Sequence, residues 1–259
     1  MIMRSRNKTS VKPARRRPRK RHVQLDLRIK FDKNGQLRGG KRANAGRHPK
    51  GLRAGSPHKA RPEIDSDQPQ HVTLRVVGDV GSLRRPHMFR AIRAGLEVMR
   101  KRVDDCRIVH FSVQGNHIHL LCEADNRMAL ARGVQGFQIS AAKHLNQEIS
   151  KERGTRRRGQ VFADRYHVRA ITSVRETRNV LCYVMNNWRH HGYRGPTLFN
   201  GKLDAYSSGL FFPGWAEQFR RYVPEGYEPP AVAAPRTWYL EKGWKIVKAI
   251  SVYEVPGSA

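Results

Sequence analysis

Two short patterns in this sequence bring together residue types that could do chemistry. The first is His117-Ile118-His119. Alternate residues of a β-strand project from the same face, so on a strand both imidazoles point one way while Ile118 and Leu120 point the other. Two neutral imidazoles side by side make half of a metal site. Cys122 shares the parity of Ile118, which argues against a His-His-Cys zinc cluster built from this strand. The second pattern is Tyr183 and Asn187, four residues apart and so stacked on one surface of a helix. Leu181, Met185 and Trp188 form the apolar stripe of that helix, whereas Glu176, Asn179, Tyr183 and Asn187 fall on the other side. A phenol nucleophile and an amide metal ligand could share that face; the plainer alternative is an amphipathic tyrosine packed at the domain edge.

The elements that must position these residues begin at His71. Val72, Leu74 and Val76 alternate with polar partners, the period of a half-buried strand. Pro86 opens a segment in which Met88, Ile92, Leu96, Met99 and Val103 recur at spacings of three and four, a helix with one apolar face. Two β-prone runs, Arg107 to Val113 and His117 to Cys122, flank a Gln114-Gly115-Asn116 turn and predict an antiparallel hairpin. After Asp125-Asn126, Leu130, Val134, Phe137, Ala141 and Leu145 mark a second amphipathic helix, ending before a basic loop from Gly154 to Gly159. A strand is expected from about Val161 to Ile171. Ser173-Val174-Arg175-Glu176 then has the Ser-x-x-Glu pattern of a capping box and starts a helix reaching about His190. Strand-helix-strand-strand-helix-strand followed by a helix suits an α+β fold: a ferredoxin-like split βαβ sandwich, its sheet largely antiparallel, with helices on one face.

Composition supplies the partner. The formal net charge is +30, from 51 Lys+Arg against 21 Asp+Glu, and charge of that size implies a polyanion, by default a nucleic acid. Residues Met1 to Pro62 hold 21 Lys+Arg and 2 Asp+Glu, or 21 − 2 = +19. Residues 1–67 are poor in large apolar side chains and read as a flexible basic arm, with Arg15, Arg16 and Arg17 as phosphate contacts. The opening stretch has no apolar run, so neither a signal peptide nor a membrane span is expected there, and a cytoplasmic, nucleoid-associated protein is. Three cysteines without CxxC spacing read as reduced, buried thiols. Residues 68–195 form the expected domain. Residues 196–259 are rich in Gly, Pro and aromatics and read as an irregular extension, packing or contacting DNA around Trp215 and Trp238. Arg156, Arg157 and Arg158 form a loop suited to DNA-backbone contacts. Arg165 suits either a phosphate contact or an ion pair with Glu176 or Asp164, and His190 and His191 suit capping of the helix end.

Asn116-His117-Ile118-His119-Leu120-Leu121 resembles the Asn-His-hydrophobic-His signature of the single-tyrosine HUH transposases, the REP-associated tyrosine transposases and their insertion-sequence relatives. Gly159-Gln160-Val161-Phe162-Ala163-Asp164-Arg165-Tyr166-His167 is similar to the segment before that family's catalytic helix. Tyr183 to Arg189 resembles its Tyr-x-x-x-Asn-Pro-x-Arg motif, with Trp188 in place of the frequent Pro and Arg189 one position early. The resemblance covers about residues 70–195. It implies Tyr183 as nucleophile, His117, His119 and Asn187 as metal ligands, single-stranded or hairpin DNA as substrate, and a homodimer in which the tyrosine helix of one subunit can serve the histidines of the other. A phenol with a pKa near 10 is a poor nucleophile at neutral pH, so a divalent ion is expected to polarise the phosphate. Two nitrogens and an amide oxygen suit Mn2+ better than Mg2+ by ligand preference, although Mg2+ is the more available ion. Two other classes stay open: a non-catalytic nucleic-acid-binding module on the same sheet, and a hydrolytic metal nuclease working through His117 and His119. Histidines where a binding module would present stacking rings favour an enzyme.

Overall fold

In a computed structural model the described residues are 33, 61–102, 105–192, 197–198, 202–217 and 231–257. The chain divides into Met1–Ala54 and Gly55–Ala259, and the architecture that follows is that of the second unit. The basic arm, with Arg15, Arg16 and Arg17, lies outside the described residues as far as residue 60, Lys33 apart.

The elements run in the expected order: β1 (Gln70–Arg75), α1 (Pro86–Arg102), β2 (Cys106–Val113), β3 (His117–Ala124), α2 (Arg127–Arg153), β4 (His167–Ala170) and α3 (Val174–His190). The sheet order is β2-β3-β1-β4. Each neighbouring pair is antiparallel, which is the split βαβ topology of an α+β ferredoxin-like unit. Local chemistry sets the ends of the elements. Asn126 caps α2 by accepting from the N–H groups of Met128 and Ala129, and Gly154 closes that helix in the left-handed conformation, φ 65°. At α3 the Ser173 hydroxyl accepts from the N–H of Glu176, while the Glu176 carboxylate reaches back to the N–H of Thr172, one residue further than a capping box requires.

Strand four is shorter than its sequence suggests. Val161 and Phe162 pack in the core but pair with the sheet only through an isolated bridge from Phe162 to Val76. A turn at Asp164, whose carboxylate accepts the N–H of Arg165 at 2.7 Å, interrupts the run before His167.

Two apolar clusters sandwich the sheet. Val72 and Leu74 of β1, Ile118, Leu120 and Cys122 of β3, and Phe111 of β2 pack with Met88, Ile92 and Leu96 of α1 and Leu130, Phe137 and Ala141 of α2. The two helices pack closely because Gly95 faces Ala141: a Cβ at Gly95 would lie 3.0 Å from Ala141 Cβ and 3.1 Å from its amide nitrogen. Thus the two helices of the split unit cover one face, as expected. Helix α3 lies on the opposite face, where Val180, Leu181, Val184 and Met185 pack with Val109 and Leu121. A register shift between Ile108 and His110, the mark of a bulge, lets both Ile108 and Val109 be buried, one in each cluster. The cysteines are free and buried.

The C-terminal extension is a packing element. It contains a two-stranded ribbon, β5 (Thr197–Leu198) and β6 (Leu203–Asp204), and one short helix, α4 (Trp238–Glu241). Leu210, Phe212, Trp215, Trp244, Ile250 and Val252 join the α3 cluster, whereas Trp238 is exposed. Polar clamps add to the contact. Arg178 of α3 pairs with Glu254 and donates to the Ala249 carbonyl at 3.1 Å. Asn186 donates to the Ser251 carbonyl at 2.9 Å, and Arg189 to that of Val252 at 2.7 Å. At the other end of β3, the buried Glu123 carboxylate accepts the N–H groups of Arg236 and Thr237.

Arg178→Met should therefore lower the stability of the chain by about 2 kcal/mol, read as the urea midpoint. Arg175→Met, at an exposed position on the same helix, should stay within about 0.5 kcal/mol of the parent. Equal midpoints for the two variants would mean that the extension does not hold α3.

Candidate active site

The site forms where α3 crosses the sheet face opposite α1 and α2. Along β3 the face carries His117, His119 and Leu121, and the antiparallel register sets Thr73 beside His119, Arg75 beside His117 and His71 beside Leu121. Tyr183 and Asn187, one turn apart on α3, come down onto this row. The Tyr183 ring stands edge-on to His119, 5.1 Å between centroids, and to His71 at 5.9 Å. His117 and His119 are 4.7 Å apart. Tyr183 is half-buried, with its ring on the imidazole cluster and away from packed hydrocarbon. The structure therefore gathers the four residues singled out by spacing, and does so within one chain.

Two features of the geometry suit a cation. His117 Nδ1 lies 2.8 Å from the Asn116 carboxamide oxygen, which can only accept. The proton therefore sits on Nδ1 and Nε2 keeps its lone pair. His119 and Asn187 are buried; His119 Nε2 has no hydrogen-bond partner, and the Asn187 amide, beside the Tyr183 hydroxyl, makes no hydrogen bond of good geometry. A buried orphan of this kind costs about 1–3 kcal/mol and calls for a ligand. Among the described residues no three His, Cys, Asp or Glu side chains converge as a metal cluster, and the polar side chain that α3 adds beside the histidines is the Asn187 amide.

Electrostatics keep the cluster uncharged. Burial, reinforced by the neighbouring imidazoles, lowers His119 to about 2. Burial, with His167 and Arg169, lowers His71 to about 4; burial, with His191 and Arg75, lowers His117 to about 4. Burial raises the Tyr183 phenol, an effect that the adjacent Asn187 amide partly offsets. At neutral pH the imidazoles are lone-pair donors and the phenol keeps its proton.

Several residues join the site that motif spacing does not reveal. His71 Nε2 lies 3.1 Å from His119 Nδ1, and Thr73 Oγ1 lies 3.3 Å from the same nitrogen. The signal for both was their alternation with Val72 and Leu74, which becomes informative only once β1 is known to pair with β3. Arg75 adds an exposed cation beside His117. His191, which caps α3 through its backbone N–H, also places its ring 5.8 Å from His117. From Tyr183 a groove of about 580 Å³ runs along the first half of α3, between Arg169 of β4 and the C-terminal Glu254, Pro256 and Gly257, and is lined by Arg175 and Arg178 among others.

The basic loop residues divide. Arg156 and Arg158 are exposed after α2. Arg157 does not offer its guanidinium to an outside phosphate, because it is tied to Asp79 at 2.9 Å and to Asn146, with a side chain only 6% exposed. Arg165 is exposed, and the ion pair considered for it with Glu176 is instead made by Arg169 at 2.7 Å.

Residues 90–187 match the family model described as Transposase IS200 like, a span that takes in His117, His119 and Tyr183 and ends at Asn187. Over those residues the chain is similar to the IS200-like transposases. Among solved structures, a REP-associated tyrosine transposase bound to a REP hairpin is 12% identical, with a TM-score of 0.44 over 70% of this chain and 99% of that one. That likeness is too loose to carry an argument. No curated protein matches the sequence. No described helix of the chain is long and apolar enough to cross a membrane.

Acid should undo this arrangement in the metal-free protein. In the unfolded chain a histidine takes its proton near pH 6.5, whereas His71, His117, His119 and the half-buried His110, lowered by desolvation to about 3, stay neutral in the folded state well below that. Between about pH 6.5 and 4.5 the unfolded state therefore binds more protons, and stability falls as pH falls. The loss per group is at most about 2 kcal/mol between pH 6.5 and 5. Urea titrations in chelator should show a steep decline over this window; a flat profile would mean that the imidazoles are solvated.

Proposed function

We propose that this chain is a transposase, which cleaves and rejoins single-stranded DNA by transesterification on Tyr183, with His117, His119 and Asn187 holding a divalent cation. The observation that carries this reading is the placement of the Tyr183 ring 5.1 Å from His119, whose inward nitrogen has no partner in the protein, next to an Asn187 amide without a hydrogen bond of good geometry. Nothing in a packing role for the tyrosine requires two such groups beside it.

The Tyr183 oxygen attacks the phosphorus of a scissile phosphodiester. A phosphorus–oxygen bond forms to the phenol and the bond to the 3′ oxygen breaks. The products are a 5′-phosphotyrosine and a 3′-hydroxyl, and the phenolic proton ends, in net terms, on the leaving oxygen. Because one ester replaces another, the bond energy is kept for rejoining. When bound, the cation supplies Lewis-acid stabilisation of charge on the phosphate and the leaving oxygen. His117 Nε2, His119 Nε2 and the Asn187 carbonyl oxygen make a neutral, open ligand set suited to Mn2+, and to Mg2+ with water completing the shell. Arg75, Arg169 and Arg175 are placed to meet the DNA backbone on either side of Tyr183, with Arg156, Arg158, Arg165 and the basic arm further out. A DNA substrate would locate the protein with the nucleoid.

The reading is tested by covalent capture. Incubation with a pool of single-stranded and hairpin DNA and Mn2+ should give a protein–DNA adduct that survives denaturant, is absent with chelator or His119→Ala, and is abolished by Tyr183→Phe. Cleavage that persists in Tyr183→Phe would establish a hydrolytic nuclease instead. DNA binding without cleavage by the parent chain would establish a binding module.

The resemblance to paired transposases raises the question of which subunit supplies the tyrosine. The short separation within one chain supports a site complete in each subunit, so that a homodimer would carry two such sites. Mixing Tyr183→Phe with His119→Ala should then restore no cleavage; recovery of roughly a quarter or more of parental activity would mean that α3 works in trans.

A further inference from the structure

We propose that His71 is a positioning residue for the candidate metal site, accepting the Nδ1 proton of His119 so that His119 Nε2 is left as the lone-pair nitrogen. The inference rests on the reading of His119 as a ligand and adds a residue that neither the His-x-His pattern nor the tyrosine helix includes. An imidazole has one proton for two nitrogens, and the partner of one nitrogen decides what the other can do. On His117 that partner is Asn116, whose oxygen fixes the proton on Nδ1. His119 has no equivalent amide. Its Nδ1 meets His71 Nε2 at 3.1 Å and, more distantly, Thr73 Oγ1 at 3.3 Å.

Two proton arrangements satisfy the His71–His119 contact. If His71 donates, His119 carries its proton on Nε2, a buried donor with no acceptor, and cannot bind a cation there. If His119 donates, His71 carries its own proton on Nδ1, and His119 Nε2 is open to a cation. Ligand histidines are held this way by a hydrogen-bond acceptor behind the ring, and loss of that acceptor typically weakens metal binding by about 10–100-fold. His71 also stands edge-on to Tyr183, 5.9 Å between ring centroids, and tilted against His119 at 5.2 Å. It therefore fills the corner between ligand and nucleophile and limits how far either ring can turn. Register makes this possible: His71 and Thr73 share the face of β1 that looks toward α3, and Thr73 lies directly across from His119.

The test uses the full chain and Mn2+ alone, following free Mn2+ by its paramagnetic resonance signal during titration. His71→Leu, which removes the acceptor but fills the space, should weaken Mn2+ binding by about tenfold or more. His71→Gln, whose carbonyl oxygen can accept from His119, should recover to within about threefold of the parent. Thr73→Val should add to the loss in the leucine background, because the hydroxyl is then the last acceptor. Melting in chelator supplies the contrasting readout: His71→Leu should melt close to the parent, since leucine fills the space and Thr73 Oγ1 remains to accept from His119 Nδ1. Parental Mn2+ affinity in His71→Leu, or equal losses in the leucine and glutamine variants, would overturn the proposal. Parental binding indifferent to His119→Ala would overturn the metal site itself, a result distinguishable from failure of the His71 role alone.

Discussion

The antiparallel register between β1 and β3 is the constraint on which the rest depends. Val72 and Leu74 of one strand and Ile118 and Leu120 of the other are wholly or almost wholly buried beneath α1 and α2. A slip of one residue would drive His117 and His119 into that core and turn the aliphatic side chains toward α3. Burial of hydrocarbon on one face thus fixes the presentation of imidazoles on the other. The same register sets Thr73 against His119 and Arg75 against His117, so the composition of the active face follows from packing on the face that does no chemistry.

Over this face α3 does two jobs through two sides. Leu181, Met185 and Val184 anchor it in the second apolar cluster, while Tyr183 and Asn187 overlie the histidines. The extension behind α3 clamps it at Arg178, Asn186 and Arg189, which accounts for a charged residue and an amide on the buried side of a short helix. The consequence is a half-buried site with neutral imidazoles and a phenol held protonated. Such surroundings strengthen any interaction with a cation or a phosphate and are unfavourable when empty.

Much of this could be read from the amino-acid sequence. The split βαβ order followed from the alternation of Val72, Leu74 and Val76 and from the helical recurrence of Met88, Ile92 and Leu96, because each half-buried element advertises its own period. His117, His119, Tyr183 and Asn187 were visible for the same reason, as faces of regular elements. Less legible was whatever depends on which elements meet. His71 looked like an ordinary polar position of a strand until β1 was paired with β3. Arg157 looked like its neighbours Arg156 and Arg158, although Asp79, 78 residues earlier in sequence, captures it. The strand expected from Val161 was cut short by Asp164, whose side chain offers the backbone a competing turn. The extension showed no period because its apolar residues are spread over turns and short helices, so its grip on α3 came from tertiary contacts alone.

The central claim is spatial: two imidazoles from a strand and an amide from a helix meet at one cation, with the phenol alongside. Anomalous diffraction at the manganese edge, from crystals of the chain grown with Mn2+, measures this directly. The account predicts one strong peak at bonding distance from His117 Nε2, His119 Nε2 and the Asn187 carbonyl oxygen, with the Tyr183 oxygen facing it across a gap that a phosphate can fill. A peak elsewhere, or a Tyr183 ring turned away from the histidines in the loaded protein, would contradict it.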